Sequence, residues 1–205
     1  MTTPTAGAEP DVHAPPGADQ VRVWDPLVRL FHWTLMVAFT TAFVVEDDIL
    51  DLHVWAGYLA LTLILVRLIW GVVGSEHARF RDFVREPRAV LTYLGDALRL
   101  RAPRYLGHNP AGGAMVVALL IMVSATGLSG LALYGAQEFA GPLAGLMSDV
   151  SNHTTHRLED VHAWCADFTV ALVIAHLAGV LFSSLEHREN LVGAMFTGYK
   201  RRNDR

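Results

Sequence analysis

Four histidines stand where the chain is otherwise apolar: His32, His53, His162 and His176. An ionisable ring in such surroundings is costly and calls for a chemical reason. His162 and His176 are fourteen residues apart. On a helix that is about 21 Å of rise and only about 40° of azimuth, so the two rings share a face at two depths. His32 precedes Glu46, where its own apolar run ends, by the same fourteen residues, and His53 opens the next run. If consecutive runs are antiparallel helices, His53 is level with His162 and His32 with His176. Two imidazoles facing each other at one depth form a donor set for an iron held in a flat macrocycle, each giving one neutral ring nitrogen. The nitrogen left off the metal then needs a carbonyl or hydroxyl that fixes the ring's orientation.

Two other readings of these residues stand beside that one. A lone membrane histidine can simply hydrogen-bond a neighbouring helix. A divalent-cation transporter would place carboxylates next to the imidazoles. Only Asp167 lies inside an apolar run, and it is about 140° around the helix from His162. Arg67, fourteen residues after His53, falls level with the His32/His176 pair. Its planar fork suits a haem propionate, and snorkelling toward the interface is the alternative. Gly57 follows His53 by four and Gly179 follows His176 by three, giving relief on the same faces.

The elements that must position these rings are set by composition. Of 205 residues, 52% are hydrophobic and 18% charged. The formal net charge of −4 gives no electrostatic basis for a nucleic-acid partner. The single cysteine, Cys165, excludes an internal disulfide framework, a Cys-rich zinc module and Cys-x-x-Cys-His haem attachment. Four runs reach the roughly 20 apolar residues that a bilayer crossing needs: Leu27–Val45, His53–Val73, Ala114–Tyr134 and about His162–Leu185. Their apolar residues run right round rather than along one stripe, which predicts an all-α, transmembrane four-helix bundle over residues 21–205.

Residues 1–20, with Pro4, Pro10, Pro15 and Pro16, predict a disordered N-terminal tail. No apolar core precedes Val21, so the first span itself is expected to direct insertion. Asp25-Pro26 fits an N-cap followed by proline in the first helical turn. Fourteen of the sixteen Lys and Arg fall on one side: Arg22 and Arg29, seven arginines between Arg79 and Arg104, and five basic residues from Arg188 to Arg205. The positive-inside rule therefore predicts both termini in the cytoplasm. The other side carries Glu46, Asp47, Asp48, Asp51, Glu138, Asp149, Glu159 and Asp160 against Arg157. Pro87–Leu100, with Val90, Leu91, Leu94 and Leu98 at helical spacing, predicts a helix lying on the inner leaflet, and Asn190–Tyr199 a second one. His153 and His156 are expected to be exposed loop residues of the acidic side.

Several motifs now resemble one family in their order. They are Val23-Trp24-Asp25-Pro26 with Arg29-x-x-His32-Trp33, then His53-x-x-x-Gly57, then Leu65-x-Arg67-Leu68-x-Trp70-Gly71. Gly107-His108-Asn109-Pro110 with Gly112, the His162/His176 spacing and Glu186-His187-Arg188-Glu189-Asn190-Leu191 complete the set. The chain from Val21 to about Arg202 resembles the bacterial cytochrome b561 family, which includes the cytochrome b subunits of nickel–iron hydrogenases. The resemblance implies a cytoplasmic (inner) membrane cytochrome with two haem b groups, His32, His53, His162 and His176 being the axial ligands of the iron. It further implies electron transfer between a periplasmic redox partner and the quinone pool. The partner would be a c-type cytochrome or a hydrogenase-like subunit. His108, in a family motif just before the third span, reads as structural or quinone-proximal rather than as a ligand. One relative in the family oxidises superoxide directly as a superoxide:quinone oxidoreductase. The acidic side would repel that anion and attract a basic protein instead. A non-redox, histidine-bearing transporter is the reading from another class.

Overall fold

A computed structural model describes residues 20–46 and 48–202, so the tail expected over 1–20 lies, apart from Gln20, outside the described residues, as does Asp47 of the acidic side. Strand β1 (Gln20–Arg22) leads into helix α1 (Pro26–Val45), followed by α2 (Leu50–Val73), a short α3 (Phe80–Phe83) and α4 (Pro87–Leu98). Then come α5 (Pro110–Gln137), a short α6 (Ala144–Met147), α7 (Asn152–Glu186), α8 (Leu191–Thr197) and strand β2 (Tyr199–Arg201). Helices α1, α2, α5 and α7 are each long and apolar enough to cross a membrane. They make an all-α transmembrane four-helix bundle, with one small ribbon attached.

Local chemistry sets the helix starts. Asp25 caps α1, its side chain accepting from the Val28 amide at 2.9 Å, with Pro26 in the first turn. Its other oxygen accepts from the Trp70 indole and the Ser75 hydroxyl, so one carboxylate ties the start of α1 to the end of α2. Asn109 with Pro110 starts α5 in the same way. Ser151 caps α7. That last cap stands eleven residues ahead of the apolar run beginning at His162, so α7 is 35 residues long. At 1.5 Å per residue it is about 52 Å, far more than the roughly 30 Å hydrocarbon core. His153 and His156 therefore ride on its first turns instead of in a loop, and His156 pairs with Glu159 at 3.5 Å. Hydropathy marks the lipid-facing window, whereas the helix propagates from its cap through polar residues with no Gly or Pro to stop it.

The helices fall into two antiparallel pairs, α1 on α2 and α5 on α7, joined mainly where α2 meets α5. The α2–α5 seam holds Ile64, Leu120 and Val123, with Phe31, Leu35 and Phe80 against them. The α5–α7 seam is lined by small polar residues: Thr169, with no solvent exposure, bonds the Cys165 carbonyl and lies 3.3 Å from the Thr126 hydroxyl. Such residues let two backbones approach closely. Helix α7 packs closely on α5 and α8, and leaves the α1–α2 pair standing off across a cleft.

The bundle end that carries both chain termini, the basic end, is closed by an assembly the sequence reading did not foresee. The segment expected as an interfacial helix over Asn190–Tyr199 is α8 only as far as Thr197. Gly198 then turns the chain with φ of 90°, and β2 pairs antiparallel with β1. The Gly198 carbonyl accepts from the amides of both Val23 and Trp24, and a Cβ on Gly198 would stand 2.7 Å from the Trp24 carbonyl oxygen. Only glycine fits that turn and that approach. Arg29 reaches across to the Phe196 carbonyl. Glu189 accepts from Arg104 at 2.8 Å and pairs with Lys200 at 3.1 Å, and Lys200 also donates to the Tyr105 carbonyl. Helix α4 buries Tyr93 and Ala97 and exposes Leu91, Leu94 and Leu98. That is the division between packed and exposed faces expected of a helix lying along a membrane surface.

Glu189 and Lys200 are 8% and 5% exposed, so each depends on the other for its charge. Burial pushes the Glu189 carboxyl up, but the Arg104 hydrogen bond and the Lys200 charge outweigh it and hold it below the ordinary carboxylate range. Removing one partner of such a pair strands the other, at about 3–5 kcal/mol. Glu189→Ala is expected to lower stability by about 3 kcal/mol in detergent denaturation, with a smaller loss for Glu189→Gln. In the unaltered protein this contribution is present above the ordinary carboxylate pKa and lost as pH falls through the depressed folded value.

Candidate functional site

The cleft between α7 and the α1–α2 pair is bridged by imidazoles. The rings of His53 on α2 and His162 on α7 have centroids 6.0 Å apart and planes at 78°. Those of His32 on α1 and His176 on α7 are 6.5 Å apart at 52°. The first couple lies toward the acidic end of the bundle and the second toward the basic end, with about 21 Å of α7 between its two members. The structure thus brings together the residues that the depth argument paired. A metal–imidazole bond is about 2.0–2.1 Å and a ring centroid about 1.1 Å from its nitrogen, so rings on opposite sides of one metal stand about 6.3 Å apart. Both couples have that spacing.

Tautomers at the acidic-end couple follow from hydrogen bonding. The His53 Nδ1 lies 2.9 Å from the Ala42 carbonyl, and the His162 Nδ1 lies 2.9 Å from the Thr126 carbonyl. A carbonyl oxygen only accepts, so Nδ1 is the protonated nitrogen in both rings and Nε2 keeps its lone pair. Ser129 adds a hydroxyl 3.1 Å from the His162 Nδ1. These are the orienting groups that a ligating histidine needs. Sequence reasoning anticipated the kind of group but not its identity, since two of the three are backbone carbonyls and carry no residue signature. The signal that was present is Gly130: a Cβ there would come within 2.8 Å of the His162 Cε1.

The basic-end couple is built differently. His32 stands edge-on to Trp33 at 5.2 Å, and its Nδ1 is sealed from solvent with no partner. Trp33 stacks on Phe196 at 4.1 Å and also leaves its indole nitrogen sealed and unpartnered. Arg67 is 3% exposed, so it does not snorkel to an interface. Its Nη2 donates to the Ala78 carbonyl at 3.0 Å, while its carbon Cζ lies 5.1 Å from the centre of the Phe80 ring and 5.8 Å from that of Phe83. Its Nη1 has no partner. Orphaned donors at this end, together with open space beyond the Cα of Gly179, fit a bulky group carrying acceptor oxygens. Among the described residues, no three or more His, Cys, Asp or Glu side chains gather into a metal-ion cage. The imidazoles come in twos.

Gly130 and Gly57 make a matched test of this arrangement. Gly130→Ala is expected to push the His162 ring off its Thr126 carbonyl and destabilise the protein by about 1–3 kcal/mol. Gly57→Ala, with nothing within 4 Å of the added Cβ, is expected to leave the haem-free chain unchanged or to stabilise it by up to about 1 kcal/mol, as helix propensity dictates. Denaturant titration of the two variants side by side reads the contrast.

Comparison with known proteins follows the same lines. The family model described as prokaryotic cytochrome b561 matches residues 23–198. A probable Ni/Fe-hydrogenase B-type cytochrome subunit from Cupriavidus necator is 27% identical, the match covering 87% of this chain and 86% of that protein. Proteins of the same description from Bradyrhizobium diazoefficiens and Azotobacter vinelandii are 23% and 24% identical, covering 92% and 88% of this chain and 89% and 88% of their own lengths. No solved structure matches the chain. With a family match running from the first residues of the basic-end closure to the glycine after α8, this chain belongs to the prokaryotic cytochrome b561 family and is a multi-pass membrane b-type cytochrome, carrying haem b and serving electron transfer.

Proposed function

We propose that this cytochrome holds two haem b groups, one between His53 and His162 and one between His32 and His176. We propose that it carries electrons between a periplasmic redox partner and the quinone pool of the bacterial inner membrane. Haem b supplies reversible one-electron chemistry; the chain supplies ligands, orientation, burial and charge. The observation that carries the reading is the matched spacing of the two imidazole couples, 6.0 and 6.5 Å between centroids, at two depths on one helix. His53 and His162 present Nε2 lone pairs with their orientation fixed by carbonyls. Arg67 offers its unpartnered Nη1 to a propionate carboxylate, the interaction its fork suits. The surrounding apolar helices exclude water, which strengthens each of these electrostatic contacts.

The direction and the partner follow from charge. The excess of Arg and Lys at the end carrying both termini supports a cytoplasmic position for that end. The opposite end then faces the periplasm with its acids, which favours a partner with a basic contact face. Similar proteins being described as hydrogenase B-type cytochrome subunits supports a hydrogenase-like subunit in that role, ahead of a c-type cytochrome. The same acids disfavour superoxide as direct donor. The extension of α7 past His162 adds Glu159 and Asp160 to that surface on a rigid element.

Haem counting on the purified protein tests the ligand assignment. Two haem b per chain are expected, and His53→Ala, His162→Ala, His32→Ala and His176→Ala should each lose one of the two. Retention of both haems in His32→Ala would contradict the basic-end couple, and a folded, colourless protein would remove the redox reading in favour of a transporter. Reduction by a basic partner is expected to slow steeply with salt. Reduction by superoxide at a near-diffusion rate would overturn the choice of donor.

A further inference from the structure

His108 has no part in the function proposed above, yet its ring is packed against two aromatic side chains. It sits two residues before α5, with the Trp24 and Phe83 ring centroids each 4.7 Å from its own. Its Nδ1 is sealed from solvent and has no hydrogen-bond partner. A second sealed donor lies close by: the Nη1 of Arg67, whose guanidinium approaches the same Phe83 ring. The two residues sense each other. Burial, and then the charge of Arg67, hold the His108 imidazole down at about 3, so it is neutral at physiological pH and offers one N–H. His176 is also within electrostatic reach of His108. The carboxylate nearest in effect to Arg67 is Asp25, whose oxygens are already taken by Val28, Trp70 and Ser75.

Buried polar hydrogens without acceptors are expensive, and more so on a charged guanidinium than on a neutral ring. Their persistence side by side, next to one of the imidazole couples, calls for an oxygen that arrives from outside the chain. We infer that the His108 Nδ1–H and the Arg67 Nη1–H together receive one propionate carboxylate of the haem held by His32 and His176, with His108 as a positioning donor. A carboxylate suits this place better than a neutral carbonyl because Arg67 keeps one buried N–H unpartnered and Asp25, the carboxylate that acts on its charge, already has its oxygens engaged. Contact with the Trp24 and Phe83 rings restricts the direction of the His108 N–H. The inference rests on the proposed ligation of a haem by His32 and His176.

The test compares His108→Leu and His108→Asn with the unaltered protein, each reconstituted with haem b or with its dimethyl ester, in which both propionates are blocked. Midpoint potentials are read by spectroelectrochemistry and the propionate-bending band by resonance Raman. With haem b, His108→Leu is expected to lower the midpoint potential of one haem only and to shift one propionate band, because a less compensated carboxylate disfavours the added electron. His108→Asn, which keeps a donor, should recover most of the potential. With the dimethyl ester, His108→Leu should have no further effect. Unchanged potentials and bands in His108→Leu with both haems bound would overturn the inference, as would an effect that survives esterification. A variant altered only in its affinity for a quinone analogue would do the same. If His108→Leu does not accumulate as folded protein, the propionate band of His108→Asn decides, since exchanging imidazole for amide must move it. Failure of the underlying ligand assignment is separately visible, as a single haem in the unaltered chain.

Discussion

An imidazole placed among lipid-facing helices must satisfy one nitrogen before the other is of use. At the acidic end of this bundle the condition is met by backbone carbonyls, Ala42 for His53 and Thr126 for His162. Each bond fixes a tautomer, and each fixed tautomer leaves the ring's lone pair on Nε2. Much of the bundle serves that arrangement. Helix α7 lies closely on α5, with Gly130 beneath His162 and Thr169 against Thr126, and this seam holds α7 away from α1 and α2. The resulting cleft is where the proposed haem groups would sit.

The two ends of the protein treat their couples differently. At the acidic end orientation comes from main chain, and the neighbouring surface is rich in carboxylates. At the basic end the rings sit under a lid of aromatic and basic side chains: Trp24, Trp33, Phe83, Phe196, Arg67 and His108. That lid is fastened by interactions between distant parts of the chain. The β1–β2 ribbon joins the two termini, Glu189 joins Arg104 to Lys200, and Asp25 joins α1 to the end of α2.

Much of this was legible in the sequence. Four apolar runs gave the spans, Asp25-Pro26 gave the start of α1, and the fixed rise of a helix converted a fourteen-residue spacing into two depths. The unread parts share a physical cause, in that they depend on groups without a local signature. The carbonyls of Ala42 and Thr126 could belong to any residue. The ribbon consists of two three-residue strands from opposite ends of the chain, too short to show alternation. The polar first turns of α7 follow from the Ser151 cap and helix propagation, which a hydropathy window does not register. Arg67 was placed at the right depth by counting, but its burial and its open Nη1 depend on the Ala78 loop folding back over it.

On the proposed ligation, each imidazole couple clamps one iron. Haem quantitation combined with near-infrared magnetic circular dichroism of the oxidised protein measures this most directly, since the charge-transfer band reports the axial ligand pair. The account predicts two haem b per chain, both low-spin with bis-histidine ligation. A single haem, or a band belonging to histidine with a different axial partner, would contradict it.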